Sequence, residues 1–250
     1  MKIPWLVPGQ TLPPASSAQG TNDAVPGLLA AGGSLDIASL HHAYSNASFP
    51  WFSEDQPILW WSPDPRMVLD PNSFVLHHSL KKTLQRFRRN SSCEIRIDHA
   101  FEQVMEACSS APRDGQSGTW INPMMLEAYG AFHRAGFAHS VETWINGELA
   151  GGLYCVGIGR AVFGESMFAR QSDASKIALA ALVCFCLQHD IGLIDCQQKT
   201  KHLASLGASE VSRYAFVKHV ENSRDEPAPA WRFEPVYWDR LLFQRQSDTT

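Results

Sequence analysis

Two blocks of unlike composition and one strand–helix–strand unit predict an α+β protein, with a small irregular N-terminal domain over residues 1–65 and a mixed-sheet C-terminal domain over residues 66–250. The first block is broken by many Pro and Gly and carries the aromatic run FPWFSEDQPILWWSPDPR. The unit spans Phe163 to Gln197: FGESMF reads as a strand interrupted by Glu165, and GLIDCQ reads the same way. Between them Ser172 suits an N-cap with Asp173 in the first turn, and the chain to about Leu187 has helical apolar repeats without Gly or Pro. Such a unit makes its strands parallel. If they are neighbours, their C-terminal ends meet where open sheets hold ligands, so Glu165 and Asp195 are expected to face one cleft.

In chain order, two short helix candidates lie around Leu35 to Ser45. Trp51, Trp60 and Trp61 are stacking surfaces for bases or the packing of a helix-poor domain, and packing is preferred for Trp60 and Trp61. Adjacent histidines, His41 with His42 and His77 with His78, do not face one site, and no acidic or Cys partner sits at ligand spacing, so no metal is expected. The segment LKKTLQRFRRN follows Ser79 and puts Leu80, Leu84 and Phe87 on one narrow stripe. Lys81, Lys82, Arg86, Arg88 and Arg89 fan across the other side, and five of the chain's 21 basic residues in nine positions make this either a solvated face or a phosphate grip.

CEIRID reads as a strand and FEQVMEAC as a helix. Asn122 before Pro123 starts a helix over Met124 to Ala135, which Gly136 stops. Asn146-Gly147 between AHSVETWI and ELAGGLYCVGI is a hairpin signal, and RAVFGESMF adds a third antiparallel strand. Beyond GLIDCQ come a short helix near Lys201 to Leu206, a strand over Ser212 to Val217 and a last helix near Tyr237 to Phe243. No internal repeat is visible.

Composition narrows the class further. At 44% hydrophobic and 18% charged over 250 residues the chain is globular, and a net charge of −4 argues against a general nucleic-acid coat. Six cysteines without a CxxC pair read as reduced buried thiols of a cytoplasmic protein; Cys196 beside Asp195 has the alternative reading of a nucleophile. The Pro-broken start lacks a secretory apolar core, and no run reaches membrane-spanning length, so a cytosolic protein is expected.

The order strand, two helices, three antiparallel strands, helix, parallel strand is similar to the acetyltransferase (GNAT) fold, in which the acyl donor enters where the fourth and fifth strands splay. Users of acetyl-coenzyme A hold its pyrophosphate on a Gly-rich loop opening the crossover helix, and the matching segment here, FARQSDASKIA, has no Gly. Another activated acyl donor is expected. The strings FPWF, ILWWSPDPR, GTWI, AHSVETW, GGLY, FGESMF, ASK, LIDCQ and HLASLGA together resemble the leucyl/phenylalanyl-tRNA–protein transferase family, over residues 46–70 and 118–210. Thr200 stands where that family usually has Asn, and Leu153 where a Met can occur.

The resemblance implies transfer of Leu, Phe or Met from aminoacyl-tRNA to the N-terminal α-amine of a protein beginning with Arg or Lys, which marks the product for degradation. It also implies a small N-terminal domain on a GNAT-like one, a bacterial cytoplasmic setting, and no metal or coenzyme. On that footing Asp195 orients the amine and Gln197 positions the ester or passes a proton, since an ordinary carboxylate near pKa 3.9 is a poor base. Glu165 recognises the cationic acceptor. Leu153, Met167, Leu182 and Phe185 are the candidates for the aminoacyl pocket, or else ordinary core. Trp51 and Trp120 are carried over as the adenosine stack, and the basic helix as the tRNA contact. Two other readings compete: an acyltransferase using acyl-coenzyme A, and a non-catalytic tRNA-binding module built on the basic helix and the aromatic block.

Overall fold

The computed structural model describes residues 3–111 and 121–243. Its first sheet holds β1 (Trp5–Leu6), β2 (Leu28–Gly32), β3 (Phe49–Pro50) and β4 (Leu59–Trp61) in the order β1-β2-β4-β3, with α1 (Ile37–Ser45) between β2 and β3. Asp36 caps α1 by accepting from the Ser39 N–H at 2.8 Å, so the two helices expected around Leu35 to Ser45 are one. Trp60 is buried and donates its indole N–H to the Gly32 carbonyl at 2.9 Å, which is packing, as expected.

The second sheet opens with β5 (Arg66–Leu69), followed by α2 (His78–Arg89), β6 (Cys93–Ile97), α3 (Phe101–Ser110) and α4 (Pro123–Arg134). Asn122 caps α4 through the Met125 N–H at 3.0 Å. Next come β7 (Ala138–Ile145), β8 (Glu148–Ile158), β9 (Ala161–Ala169), the crossover helix α5 (Ala174–Gln188) and β10 (Ile194–Gln197). The Asn146-Gly147 turn has positive φ at both positions, the geometry a two-residue hairpin needs. α6 (Lys201–Ser205), β11 (Ser209–Val211), α7 (Arg213–Ser223) and α8 (Asp239–Leu242) finish the chain. The strand order is β11-β5-β10-β9-β8-β7-β6, antiparallel throughout except for the β9–β10 pair. From β6 to β10 this is the acetyltransferase-like order expected from the sequence.

Three local expectations are corrected. Ser212 to Val217 is not a strand: Ser212 caps α7 by accepting from the Ala215 N–H at 3.2 Å, and Arg213, Phe216 and Val220 are buried at helical spacing. Asp173, not Ser172, is the residue before α5; it has a left-handed backbone and pairs with Lys176 at 2.9 Å. The last helix is a 3-10 turn over Pro235–Trp238 running into α8.

α5 sets the layer on which the cleft is built. Ile177 to Cys186 are all buried, because one side lies on the sheet and the others meet α2, α8 and the turn before it. Each large aliphatic of this kind contributes about 1.5–3 kcal/mol by leaving water. Close docking depends on Gly151, where a Cβ would stand 2.6 Å from that of Ala174. The opposite face of the sheet packs on α3 and α4 in a core continuous with the first sheet's Leu40, Tyr44, Phe49 and Trp60. No helix among the described residues is long and apolar enough to cross a membrane.

Candidate active site

β9 and β10 pair in parallel at two rungs, Ile194 with Val162 and Asp195 with Phe163, and then part. Both strands carry an irregularity just there. On β9 the register against β8 shifts between Tyr154, which faces Ser166, and Cys155, which faces Gly164, leaving Glu165 as the extra residue. On β10 the register against β5 shifts between Asp195 and Gln197, and Gln197 has φ 60°. Bulges of this kind re-aim side chains, and two of them side by side open the sheet. A cavity of about 490 Å³ fills the opening.

Leu153, Met167, Leu179, Leu182 and Ile194 give the cavity an aliphatic wall, while Glu165, Asp195, Cys196, Thr200 and His202 form its polar side. Leu179 is a lining residue that the sequence reading missed. Phe185 is corrected: it does not line the cavity. Its ring stacks on Trp231 at 4.6 Å and meets His189, the residue just past the end of α5.

A single chain of polar contacts runs along the opening. Arg66 donates from Nε and Nη2 to the two carboxylate oxygens of Asp195 at 2.8 and 2.6 Å, with both side chains fully buried. The guanidinium lies between the rings of Phe49 and Phe216, 4.7 and 4.6 Å from their centroids. Asp195 also accepts the Gln197 backbone N–H at 2.8 Å, which holds that residue in its left-handed conformation. The expectation that Asp195 presents its carboxylate to an incoming amine is therefore corrected, because Arg66 and Gln197 occupy its oxygens. Gln197 in turn donates its amide to Glu165 Oε1 at 2.9 Å. Tyr44, from α1, gives its proton to the same oxygen at 2.7 Å, which leaves Tyr129 of α4 to donate to Tyr44. Glu165 Oε2 is enclosed and has no hydrogen-bond partner among the described residues.

Burial pushes the Glu165 carboxyl up to about 8, against the lowering effect of its Tyr44 and Gln197 hydrogen bonds. Burial also holds the Tyr44 and Tyr129 hydroxyls well above the usual phenol range, so both remain donors. The Cys196 thiol is raised by burial and by Asp195, which keeps it from the thiolate form a nucleophile requires. His202 is lowered by burial and by Lys176 and is neutral at pH 7. Among the described residues no group of three or more His, Cys, Asp or Glu is arranged to hold a metal ion.

The other predicted residues that are described lie outside the cavity. Trp51 is half-buried, packs edge-on against Trp61 at 5.6 Å and accepts its indole N–H at 2.6 Å. Trp120 lies outside the described residues. On α2, Leu80, Leu84 and Phe87 are buried as the apolar stripe requires. Lys82, Arg86, Arg88 and Arg89 are exposed and Lys81 half-buried. Arg88 pairs with Asp239 at 2.7 Å and covers the Phe243 ring, whereas the other four make no ion pair among the described residues. His77 bonds the Ser205 carbonyl at 2.7 Å and so ties the start of α2 to α6, whose His202 and Leu203 line the cavity.

Fold and site together define an acetyltransferase-like protein, with its opening between a bulged fourth strand and a parallel fifth. Residues 68–221 match the family model described as leucyl/phenylalanyl-tRNA protein transferase, and residues 33–64 match the model of that family's N-terminal domain. Leucyl/phenylalanyl-tRNA–protein transferases of Polaromonas sp. and Albidiferax ferrireducens are each 60% identical to the chain. The first match covers 96% of this chain and 94% of the relative, and the second 99% and 97%. A solved GCN5-related N-acetyltransferase from Kribbella flavida aligns at a TM-score of 0.34 and 9% identity over 67% of this chain and 58% of that one. The chain belongs to the leucyl/phenylalanyl-tRNA protein transferase family.

Proposed function

We propose that the protein moves Leu, Phe or Met from aminoacyl-tRNA to the N-terminal α-amine of proteins beginning with Arg or Lys, marking them for degradation in the bacterial cytoplasm, with no metal or coenzyme. Family membership supports the transfer. The observation that carries it to this site is the aliphatic slot opening directly beside the Glu165 carboxyl in the β9–β10 splay. Leu153, Met167, Leu179 and Leu182 hold the aminoacyl side chain. Glu165 receives the cationic acceptor, since Arg or Lys beside an α-ammonium presents two positive charges. Gln197 positions the ester, and Asp195 organises Gln197 from below. Fixing both reactants in one geometry contributes some 7–11 kcal/mol to such a reaction, and an α-amine of pKa about 7.7–8.0 is already partly neutral at cytosolic pH.

Trp51, with Trp120, stacks the terminal adenosine in this reading, and Lys81, Lys82, Arg86 and Arg89 grip the acceptor stem, with Arg88 committed in part to Asp239. Residues 1–65 and 66–250 are taken as the two domains. An acyl-coenzyme A donor is disfavoured by the start of α5, where a pyrophosphate would have to sit: Asp173 places a carboxylate there, and Ala174 is buried against Gly151. The decisive experiment follows labelled Leu from Leu-tRNA onto an Arg-initiated peptide, with ribonuclease-treated donor and acetyl-coenzyme A as controls. Product that disappears with ribonuclease supports the proposal. Binding of tRNA without peptide product would leave a non-catalytic module instead.

A further inference from the structure

We infer that Glu165 is the group that takes the proton from the acceptor's α-ammonium, and that Asp195 is a positioning residue acting through Gln197. The inference deepens the aminoacyl-transfer reading and rests on it. Two carboxylates stand at the opening, and their oxygens are disposed unequally. Both Asp195 oxygens are engaged by Arg66, and Oδ1 holds the Gln197 N–H as well. Of the four, Glu165 Oε2 is the one left without a partner among the described residues, and it is sealed from bulk water. A buried oxygen in that condition gains its hydrogen bond from whatever enters the cavity. An ammonium placed there meets a base held by Tyr44 and Gln197 on its other oxygen.

The step balances. The α-ammonium gives one proton to Glu165 Oε2, and the freed nitrogen lone pair attacks the ester carbonyl carbon. The C–O bond to the ribose then breaks, the second nitrogen proton passes to the departing ribose oxygen, and Glu165 returns the first proton to solvent. Charged and titratable groups face Glu165 from each neighbouring element: Tyr44 of α1, Tyr129 of α4, Cys155 of β8, Arg66 of β5, Asp195 of β10 and His202 of α6. The tyrosines and Cys155 stay protonated, and His202 is neutral. The Arg66–Asp195 pair is closed on itself. Glu165 at about 8 is therefore matched to an α-amine of about 7.7–8.0, the condition under which proton transfer costs least.

The test compares Glu165→Gln with the parent on two nucleophiles at saturating Leu-tRNA. An Arg-initiated peptide must lose a proton before attack, whereas hydroxylamine is neutral at pH 7. A lost general base predicts a fall in kcat with the peptide of about 10²- to 10⁴-fold and near-parental formation of leucyl hydroxamate. Glu165→Asp, which retains a carboxylate, should recover part of the peptide rate. If Glu165→Gln instead raises only KM for the peptide and keeps the parental kcat, Glu165 merely binds the acceptor and the inference is wrong. Equal loss with both nucleophiles also overturns it, by assigning the damage to the donor slot. A parent enzyme that makes no peptide product would sink the transfer reading itself, a distinct outcome.

Discussion

On β10 the Asp195 carboxylate is fully enclosed and commits both oxygens to Arg66, whereas on neighbouring β9 the Glu165 carboxylate leaves one enclosed oxygen without a partner among the described residues. The two residues sit on adjacent strands where the β9–β10 pairing stops and are chemically alike. Their environments separate them. A buried carboxylate with a bidentate guanidinium is a fixed structural anion, while one that is buried without a cation of its own is pushed toward its neutral form and stays available. The same division recurs on α5, between Leu182 at the cavity and Phe185 in the sealed core, and on α2, between paired Arg88 and neighbours that make no ion pair among the described residues.

Breaking the closed side should have the largest effect. Arg66→Met leaves Asp195 buried without its cation, and losing one member of a buried pair costs about 3–5 kcal/mol. The double variant Arg66→Met with Asp195→Leu removes both charges and should recover most of that loss in urea or guanidinium unfolding. It should not recover transfer activity, because Gln197 has lost the carboxylate that holds its backbone N–H. A double variant no more stable than the single one would mean that the pair is not a self-contained unit.

On α5 the contrast sharpens into stability against selectivity. Phe185→Ala removes a ring packed on Trp231 and should cost about 3–5 kcal/mol without changing the ratio of Leu-tRNA to Phe-tRNA use. Leu182→Ala, at the cavity wall, should cost about 2–4 kcal/mol and shift that ratio toward Phe by enlarging the slot. Competition between the two charged donors reads this directly. A ratio that moves with Phe185→Ala would place the aminoacyl side chain elsewhere.

Much of this frame could be read in the chain, because turn and cap residues announce themselves locally. Asn146-Gly147 and Asn122-Pro123 each bracket an element with a single mechanism. The strand–helix–strand unit brought Glu165 and Asp195 together for the same reason. What escaped was long-range or depended on register. Arg66 is 129 residues from Asp195, and Tyr44 is 121 from Glu165, so no local pattern joins them. A bulge is a mismatch between two strands, and neither Glu165 nor Cys196 reveals alone that it is the unmatched residue. α5 is apolar on every side, so its wheel cannot say that Leu179 meets the cavity and Phe185 does not. Ser212 to Val217 looked like a strand because Tyr214, Phe216 and Val217 favour sheets. Burial of Arg213, Phe216 and Val220 on one side decided for the helix.

The open side carries a pH signature of smaller size. In the folded protein Glu165 is raised to about 8, while unfolded it titrates near 4.5, so between those values the native state holds a proton that the unfolded chain has released. Stability should therefore fall as pH rises from about 4.5 to about 8 and level off above, with a slope of at most about 1.4 kcal/mol per pH unit from this one group. Glu165→Gln cannot titrate and should flatten that part of the curve. Unfolding midpoints of parent and variant at pH 5.5 and 7.5 supply the test, and parallel curves would show that Glu165 titrates normally.

The smallest effects are expected on α2, where one basic residue is tied down and its neighbours are not. Arg88→Ala breaks a part-exposed pair with Asp239 and should cost less than about 1 kcal/mol of stability, with little change in tRNA affinity. Replacing Lys82, Arg86 and Arg89 with Glu leaves the buried stripe untouched and should not alter stability measurably. An acceptor stem presents a regular phosphate backbone that one cationic face can hold without reading sequence. The triple variant should therefore raise the apparent KM for Leu-tRNA and Phe-tRNA alike. It should also flatten the dependence of log affinity on log salt by about one for each phosphate that is no longer neutralised. An aminoacyl adenosine lacks the stem, so its use should stay near parental. If the minimal donor and the full tRNA lose efficiency equally, the substitutions have disturbed the cavity through the His77–Ser205 link to α6, and the tRNA is held by another surface.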